Sequence, residues 1–200
     1  MRKKGLLIVI SGPSGAGKGT ICKLLLEENP HIKASISATT RKPRQGEVDG
    51  INYFFIDTDA FKNMIQEDEL LEYAKVYDNF YGTPKKYVLD NLEAGNDVLL
   101  EIDIDGALQI KEKFNEGVFV FILPPSLEEL KNRIINRGTE TMEDINKRYS
   151  SALKEINQVI KYDYAIVNDN VEGAIQDIEA ILRAEGCRVI RQYEDIITRY

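Results

Sequence analysis

A chain of 200 residues, 43% apolar and 30% charged, fits one globular domain with a core large enough to need no staples. The longest apolar runs, 6–10 and 118–123, are far shorter than the roughly 20 residues of a membrane helix. Two cysteines, Cys22 and Cys187, are too few for a disulfide framework, and no secretory leader is visible, so the expected setting is cytoplasmic.

The net charge of −7 argues against a general nucleic-acid binder. It conceals a split: residues 1–46 hold nine Lys or Arg and two acids, whereas 47–200 hold 17 basic and 31 acidic residues. A basic first quarter on an acidic chain points to a small anion held locally.

In chain order, strands are predicted at 6–11, 34–37, 98–102, 118–123 and 164–167, several of them continuous apolar runs that suit parallel strands covered on both faces. Helices are predicted at 18–28, 84–94, 126–136, 141–160 and 171–184; Ser126 and Glu129 form a capping box at the third of these. This alternation predicts an α/β doubly wound fold with a parallel five-stranded sheet flanked by helices. Two segments interrupt it. Residues 38–83 read as a small β-rich insertion, and 136–146 as an exposed, mobile lid. Over 186–200, Val189, Ile190, Tyr193, Ile196, Ile197 and Tyr200 recur at helical spacing. They read either as a final helix packed on the core or as a contact in a homo-oligomer.

Chemistry concentrates in two places. In 5–20, GLLIVISGPSGAGKGT, a strand runs into Gly12-x-x-x-x-Gly17-Lys18 and a helix follows at once, the context a phosphate loop requires. Glycines let backbone N–H groups curl round a phosphate, the helix dipole faces it, and Lys18 adds a full charge. The usual Ser or Thr after the lysine is Gly19 here, with Thr20 one place later, so no protein ligand for magnesium is assigned. In 35–53, Arg41 and Arg44 flank Pro43. Alone, this is an ordinary solvated basic loop; beside a phosphate loop, it reads as a second phosphate site built from two guanidinium forks. Two such sites imply transfer between two phosphorylated molecules.

These residues resemble the guanylate kinases. That family's STTRxPRxGExxGxxYxF string appears at 38–55 with Ala38 in the serine position; GPSGxGK is at 12–18, RGTET at 137–141 and IVND at 166–169. The resemblance spans about 5–185. It implies a P-loop NTPase core (5–34, 84–125, 160–185), a GMP-binding subdomain (35–83), a lid region (126–159) and a C-terminal extension (186–200). It also implies phosphoryl transfer from ATP, with Mg2+, to GMP and dGMP, in purine nucleotide metabolism. No nucleic-acid or membrane partner is implied.

By resemblance, the ATP site comprises Gly12, Pro13, Ser14, Gly15, Ala16, Gly17, Lys18, Gly19 and Thr20, with Arg133, Arg137 and Asn168. Asn168 reads equally as part of a plain strand-to-helix turn. Arg41, Arg44, Tyr53 and Tyr81 match the clamp on the acceptor phosphate, and Glu72 matches the carboxylate that reads guanine. Ser37 and Thr83 match smaller contacts to the base. Lys18, Arg44, Arg137 and Arg148 match the groups that neutralise charge during transfer. Glu101 and Asp103 match acids near the acceptor or the magnesium shell, and read alternatively as strand-end acids capping the next helix. Two rival readings stand beside this one: a protein-binding module of the same fold, and a kinase for another acceptor such as AMP.

Overall fold

The computed structural model describes residues 4–76, 78–114, 116–135 and 142–198. Nine strands are described: β1 (Leu7–Ser11), β2 (Ile32–Ala34), β3 (Ala38–Thr39), β4 (Phe54–Phe55), β5 (Leu70–Val76), β6 (Asn79–Pro84), β7 (Asp97–Glu101), β8 (Val118–Leu123) and β9 (Tyr164–Val167). The described α-helices are α1 (Lys18–Glu28), α2 (Thr58–Gln66), α3 (Lys85–Glu93), α4 (Ile104–Lys113), α5 (Leu127–Ile135), α6 (Met142–Ile156), α7 (Val171–Gly186) and α8 (Val189–Ile197).

The main sheet is five-stranded, ordered β2-β7-β1-β8-β9 and parallel throughout. Every residue of β1 is buried because both faces are covered. Alternate side chains point to opposite faces. Ile8 and Ile10 therefore join a cluster with Ile21 and Leu25 of α1 and Ile175 and Ile178 of α7. Leu7 and Val9 join one with Val88 of α3 and Ala107 and Ile110 of α4. In the sheet β1 lies between β7 and β8, and its C-terminal end opens onto the crevice where ligands of such sheets sit.

A second sheet, ordered β4-β3-β6-β5, has its own small core of Ala38, Phe61 and Leu70, with Phe54, Ile56, Met64, Ile65 and Phe80 packed against it. The strand β5 joins the two cores. Leu70 faces the small one, while Leu71 is fully buried in the main one.

The structure differs from the sequence expectations at five places. The strand expected at 34–37 lies at Ile32–Ala34, where Ile32 supplies the buried anchor against β7. The 38–83 segment is not wholly β: Asp57 caps α2 by accepting from the Ala60 N–H at 2.7 Å, and Phe61 buries that helix on the small sheet. The helix α4 has no counterpart among the predicted elements. The helix expected over 141–160 gives way after Ile156 to a 3-10 turn, Asn157–Lys161. The apolar stripe of α8 is not packed on the core, because Val189 is 67% and Ile190 70% exposed. That helix is held by polar contacts instead: Arg191 donates to Glu185 (3.2 Å) and to the Glu116 carbonyl (2.6 Å).

Candidate active site

The loop between β1 and α1 borders an open cleft of about 1150 Å³. Gly12, Gly15 and Gly17 all adopt positive φ, at 144°, 92° and 94°. A Cβ at Gly12 would stand 2.3 Å from the Ile122 carbonyl oxygen. Only residues without a Cβ trace this curve. The Lys18 ammonium folds back over the loop and donates to the carbonyls of Gly12 (2.6 Å) and Pro13 (3.2 Å). Pro13 also accepts from the Ala16 N–H at 3.2 Å. Ser14, Gly19 and Thr20 line the cleft with Lys18.

Asn168, at the end of β9, is 3% exposed, and its amide donates 2.8 Å to the Ala16 carbonyl. It secures the loop from the protein side. Arg133 donates to Glu129 (2.8 Å) and to the Asn168 carbonyl (3.3 Å), beside Gly17. Arg137 lies outside the described residues. Arg148 lies in α6, and its side chain is outside the described part.

On the second sheet, Arg41 does not stand as a bare fork. Both terminal nitrogens donate to the Glu47 carboxylate at 2.9 Å, and Glu47 also accepts from the Arg44 backbone N–H at 2.7 Å. The Arg41 guanidinium holds the Glu47 carboxyl below the usual range. Arg41 further lies 5.5 Å from the centre of the Tyr53 ring, which meets Tyr81 edge-on at 6.0 Å. One carboxylate thus fixes a guanidinium between two phenols, while the Arg44 side chain is exposed.

Glu72 is 5% exposed. The Thr83 hydroxyl donates to its Oε1 at 2.6 Å. Its Oε2 lies 2.8 Å from where a Cβ on Gly106 would be, so only glycine leaves it that room. Burial pushes this carboxyl up to about 7, with the nearby Asp103 adding to the rise and the Thr83 hydroxyl opposing it. The Ser37 carbonyl accepts from the Phe54 N–H at 2.9 Å, joining β3 to β4.

The two strand-end acids part company. Asp103 caps α4, accepting from the Gly106 N–H at 2.7 Å, and faces the Glu72 side. Glu101 faces the phosphate loop: its oxygens lie 3.5 and 3.8 Å from where a Cβ on Gly19 would be. Burial raises the Glu101 carboxyl, and the Lys18 charge works against that rise. Magnesium prefers one or two carboxylates together with substrate phosphates and water. Glu101 beside the phosphate loop fits that preference; among the described residues no group of three or more potential metal ligands forms a cage.

Sequence reasoning did not single out four other groups. Glu47 was visible as the acid of the quoted string, but its pairing with Arg41 was not. Gly106 follows Asp103 by three residues with no motif to mark it. Lys154 and Lys161 line the same cleft, and no local pattern distinguishes them from surface lysines.

A family model described as guanylate kinase matches residues 4–185. The chain is 65% identical to a guanylate kinase of Caldanaerobacter subterraneus subsp. tengcongensis, over 96% of this chain and 93% of the relative. It is 60% identical to one of Clostridioides difficile, over 99% and 97%. The crystal structure of guanylate kinase from Anaplasma phagocytophilum superposes with a TM-score of 0.78 at 37% identity, covering 96% of this chain and 91% of that one.

Proposed function

The chain belongs to the guanylate kinase family, and from that premise we propose that it transfers the γ-phosphoryl group of ATP to GMP, giving ADP and GDP. The observation that carries the choice of acceptor is Glu72. Guanine presents N1–H and N2–H2 side by side, a donor pair that one carboxylate accepts. Thr83 orients one Glu72 oxygen, and Gly106 leaves space at the other. Adenine has no such donor pair and would leave the second oxygen of this buried carboxylate without its donor.

In this reading the phosphate loop and Lys18 grip the donor phosphates. Arg41, Arg44, Tyr53 and Tyr81 orient the acceptor phosphate, with Ser37 and Thr83 beside the base. The acceptor oxygen is already anionic, so no general base is needed. It attacks the γ-phosphorus in line as the bond to the β–γ bridging oxygen breaks, and ADP leaves. Glu101, beside the phosphate loop, would help hold bound magnesium, which would neutralise charge on the donor phosphates. Arg137 and Arg148, by their resemblance to the family's arginines, and Arg133 beside Gly17 would neutralise the transferring group. The match to a guanylate kinase over 96% of this chain and 93% of the relative supports a kinase working on nucleotides.

A coupled assay of ADP release with GMP, dGMP, AMP and UMP tests this. GMP and dGMP are expected to be turned over, and AMP and UMP at least about a hundredfold less efficiently. Preference for AMP would transfer the reading to another acceptor, and no turnover with any nucleotide would favour the binding module. In the same assay Arg137→Ala is expected to lower kcat by about a thousandfold with nucleotide affinities kept. Near-normal turnover would remove Arg137 from the mechanism.

A further inference from the structure

Glu72 is carried by a strand that is irregular just where it sits. Leu70 of β5 faces Pro84 of β6 and Tyr73 faces Gly82, so three steps along β5 match two along β6. A bulge of this kind breaks the ladder locally, bends the strand and re-aims the side chains around it. β5 is also the edge of its sheet. Its outer side is tied down by side chains of α4. The Gln109 amide acts as a neighbouring strand would: its oxygen accepts from the Tyr73 N–H at 3.3 Å and its nitrogen donates to the Tyr73 carbonyl at 3.2 Å. One turn further along α4, the Lys113 ammonium donates to the Leu71 carbonyl at 3.1 Å. The backbone on both sides of Glu72 is thereby fixed to one helix. Gly106, which leaves room for Glu72 Oε2, precedes Gln109 by three positions and Lys113 by seven, so the three share a helix face. We infer that Gln109 and Lys113 are positioning residues for base selection: by pinning the bulge they hold both Glu72 oxygens in register with the N1–H and N2–H2 pair, and so set how strongly the chain prefers guanine to hypoxanthine. This rests on the reading of Glu72 as the carboxylate that meets the base.

Hypoxanthine keeps N1–H and lacks the 2-amino group. A carboxylate held at a fixed angle meets both guanine donors and loses one of them with hypoxanthine, which leaves a buried acceptor unmatched. A carboxylate free to swing makes one good contact with either base and distinguishes them poorly. Positioning therefore shows in the ratio between the two nucleotides. A clasp that only held the fold together would weaken both alike.

The test measures kcat/KM for GMP and for IMP, the hypoxanthine nucleotide, in the full chain at saturating ATP. Gln109→Ala is expected to narrow the GMP-to-IMP ratio by roughly tenfold, the equivalent of one hydrogen bond, with the loss falling on GMP and KM for ATP kept within about twofold. Lys113→Met removes the donor and keeps the apolar stem; it is expected to narrow the ratio by roughly threefold or more. Lys113→Arg keeps a charged donor and is expected to hold the ratio of the unaltered chain. Lys113 is exposed at the end of α4, so its variants decide the matter if Gln109→Ala does not fold. An unchanged ratio in Gln109→Ala, or in Lys113→Met where the first does not fold, would overturn the assignment. So would an equal fall for GMP and IMP, which would leave a clasp with a structural role alone. Failure of the unaltered chain to prefer GMP to IMP would instead bring down the reading of Glu72 beneath it.

Discussion

Glu72 faces two opposed demands. It must be ionised to accept from guanine, yet burial holds its carboxyl up at about 7 instead of the ordinary 4.5. The folded chain therefore keeps a proton that the unfolded chain releases. Stability from this group is complete below about pH 4.5 and is lost as pH rises toward 7, by on the order of 3 kcal/mol. Glu72→Gln keeps an acceptor for the Thr83 hydroxyl but cannot ionise. Its melting temperature is expected to match the unaltered chain near pH 5 and to exceed it near pH 8. GMP binding has the opposite sign: KM for GMP should fall from about pH 6 to pH 8 in the unaltered chain and stay flat and high in the variant. A KM that ignores pH in both would mean that Glu72 does not read the base. The sequence made Glu72 a candidate only through its match to the family's guanine-reading carboxylate, since a lone Glu is ordinarily a surface charge. Its burial follows from two residues of β6 and α4, Thr83 and Gly106, that sequence spacing does not bring near it. The Arg41–Glu47 pair escaped for a related reason: the loop turns back on itself at Gly46, at φ 87°, and sequence spacing does not report that turn.

At the scale of elements, the first turn of α4 organises the acceptor side. Asp103 fixes its N-terminus, and Gly106 brings the helix backbone close to the Glu72 carboxylate. Alanine at 106 would be favourable for the helix by about 0.5–1 kcal/mol but would press on Glu72 Oε2. Gly106→Ala is therefore expected to raise KM for GMP by roughly tenfold, the loss of about one hydrogen bond. It should leave KM for ATP and the melting temperature nearly unchanged. A proportional rise in both KM values would point to general distortion. Elements with strong periodicity were legible. The runs at β1, β8 and β9 are continuous and apolar, and α1 begins at the lysine and ends at Glu28 as its pattern predicts. Besides the ten-residue α4, what failed was short and mixed: β2 is three residues with one buried, and α2 carries its helix signal in Asp57, overshadowed by neighbouring aromatics that read as strand. The apolar stripe of α8 was legible as a helix, but periodicity cannot say which side meets the protein, and here Arg191 and Glu185 turn it outward.

Among the described residues the two sheets rest on buried clusters of unequal size, with a further small cluster of Leu130, Ile134 and Ala152 between α5 and α6, and that inequality sets how the chain is expected to open. The main sheet buries clusters on both faces, whereas the small sheet rests on Ala38, Phe61 and Leu70. Phe61 is fully buried and stacks on Phe80 at 5.4 Å, so it dominates that cluster. Truncating a buried Phe costs about 3–5 kcal/mol. If the cores were one cooperative unit, this loss would be shared by every amide. If the small sheet is a separate unit, the loss appears there alone, as faster opening of a region with little stability to spare. Phe61→Ala is expected to speed hydrogen exchange in β3, β5 and β6 by a hundredfold or more, the equivalent of about 3 kcal/mol, and to leave β1, β7 and β8 protected. The start of β5 should respond least, because Leu71 anchors it in the main core. ADP binding should survive and GMP binding should fail, since the phosphate loop belongs to the large core and Arg41, Tyr53 and Tyr81 to the small sheet and its loops. Uniform acceleration across both sheets would show a single unit and remove the proposed GMP-binding subdomain. Glu72 sits one residue past Leu71 on the strand that joins the cores, so the carboxylate proposed to read the acceptor lies at the joint between them.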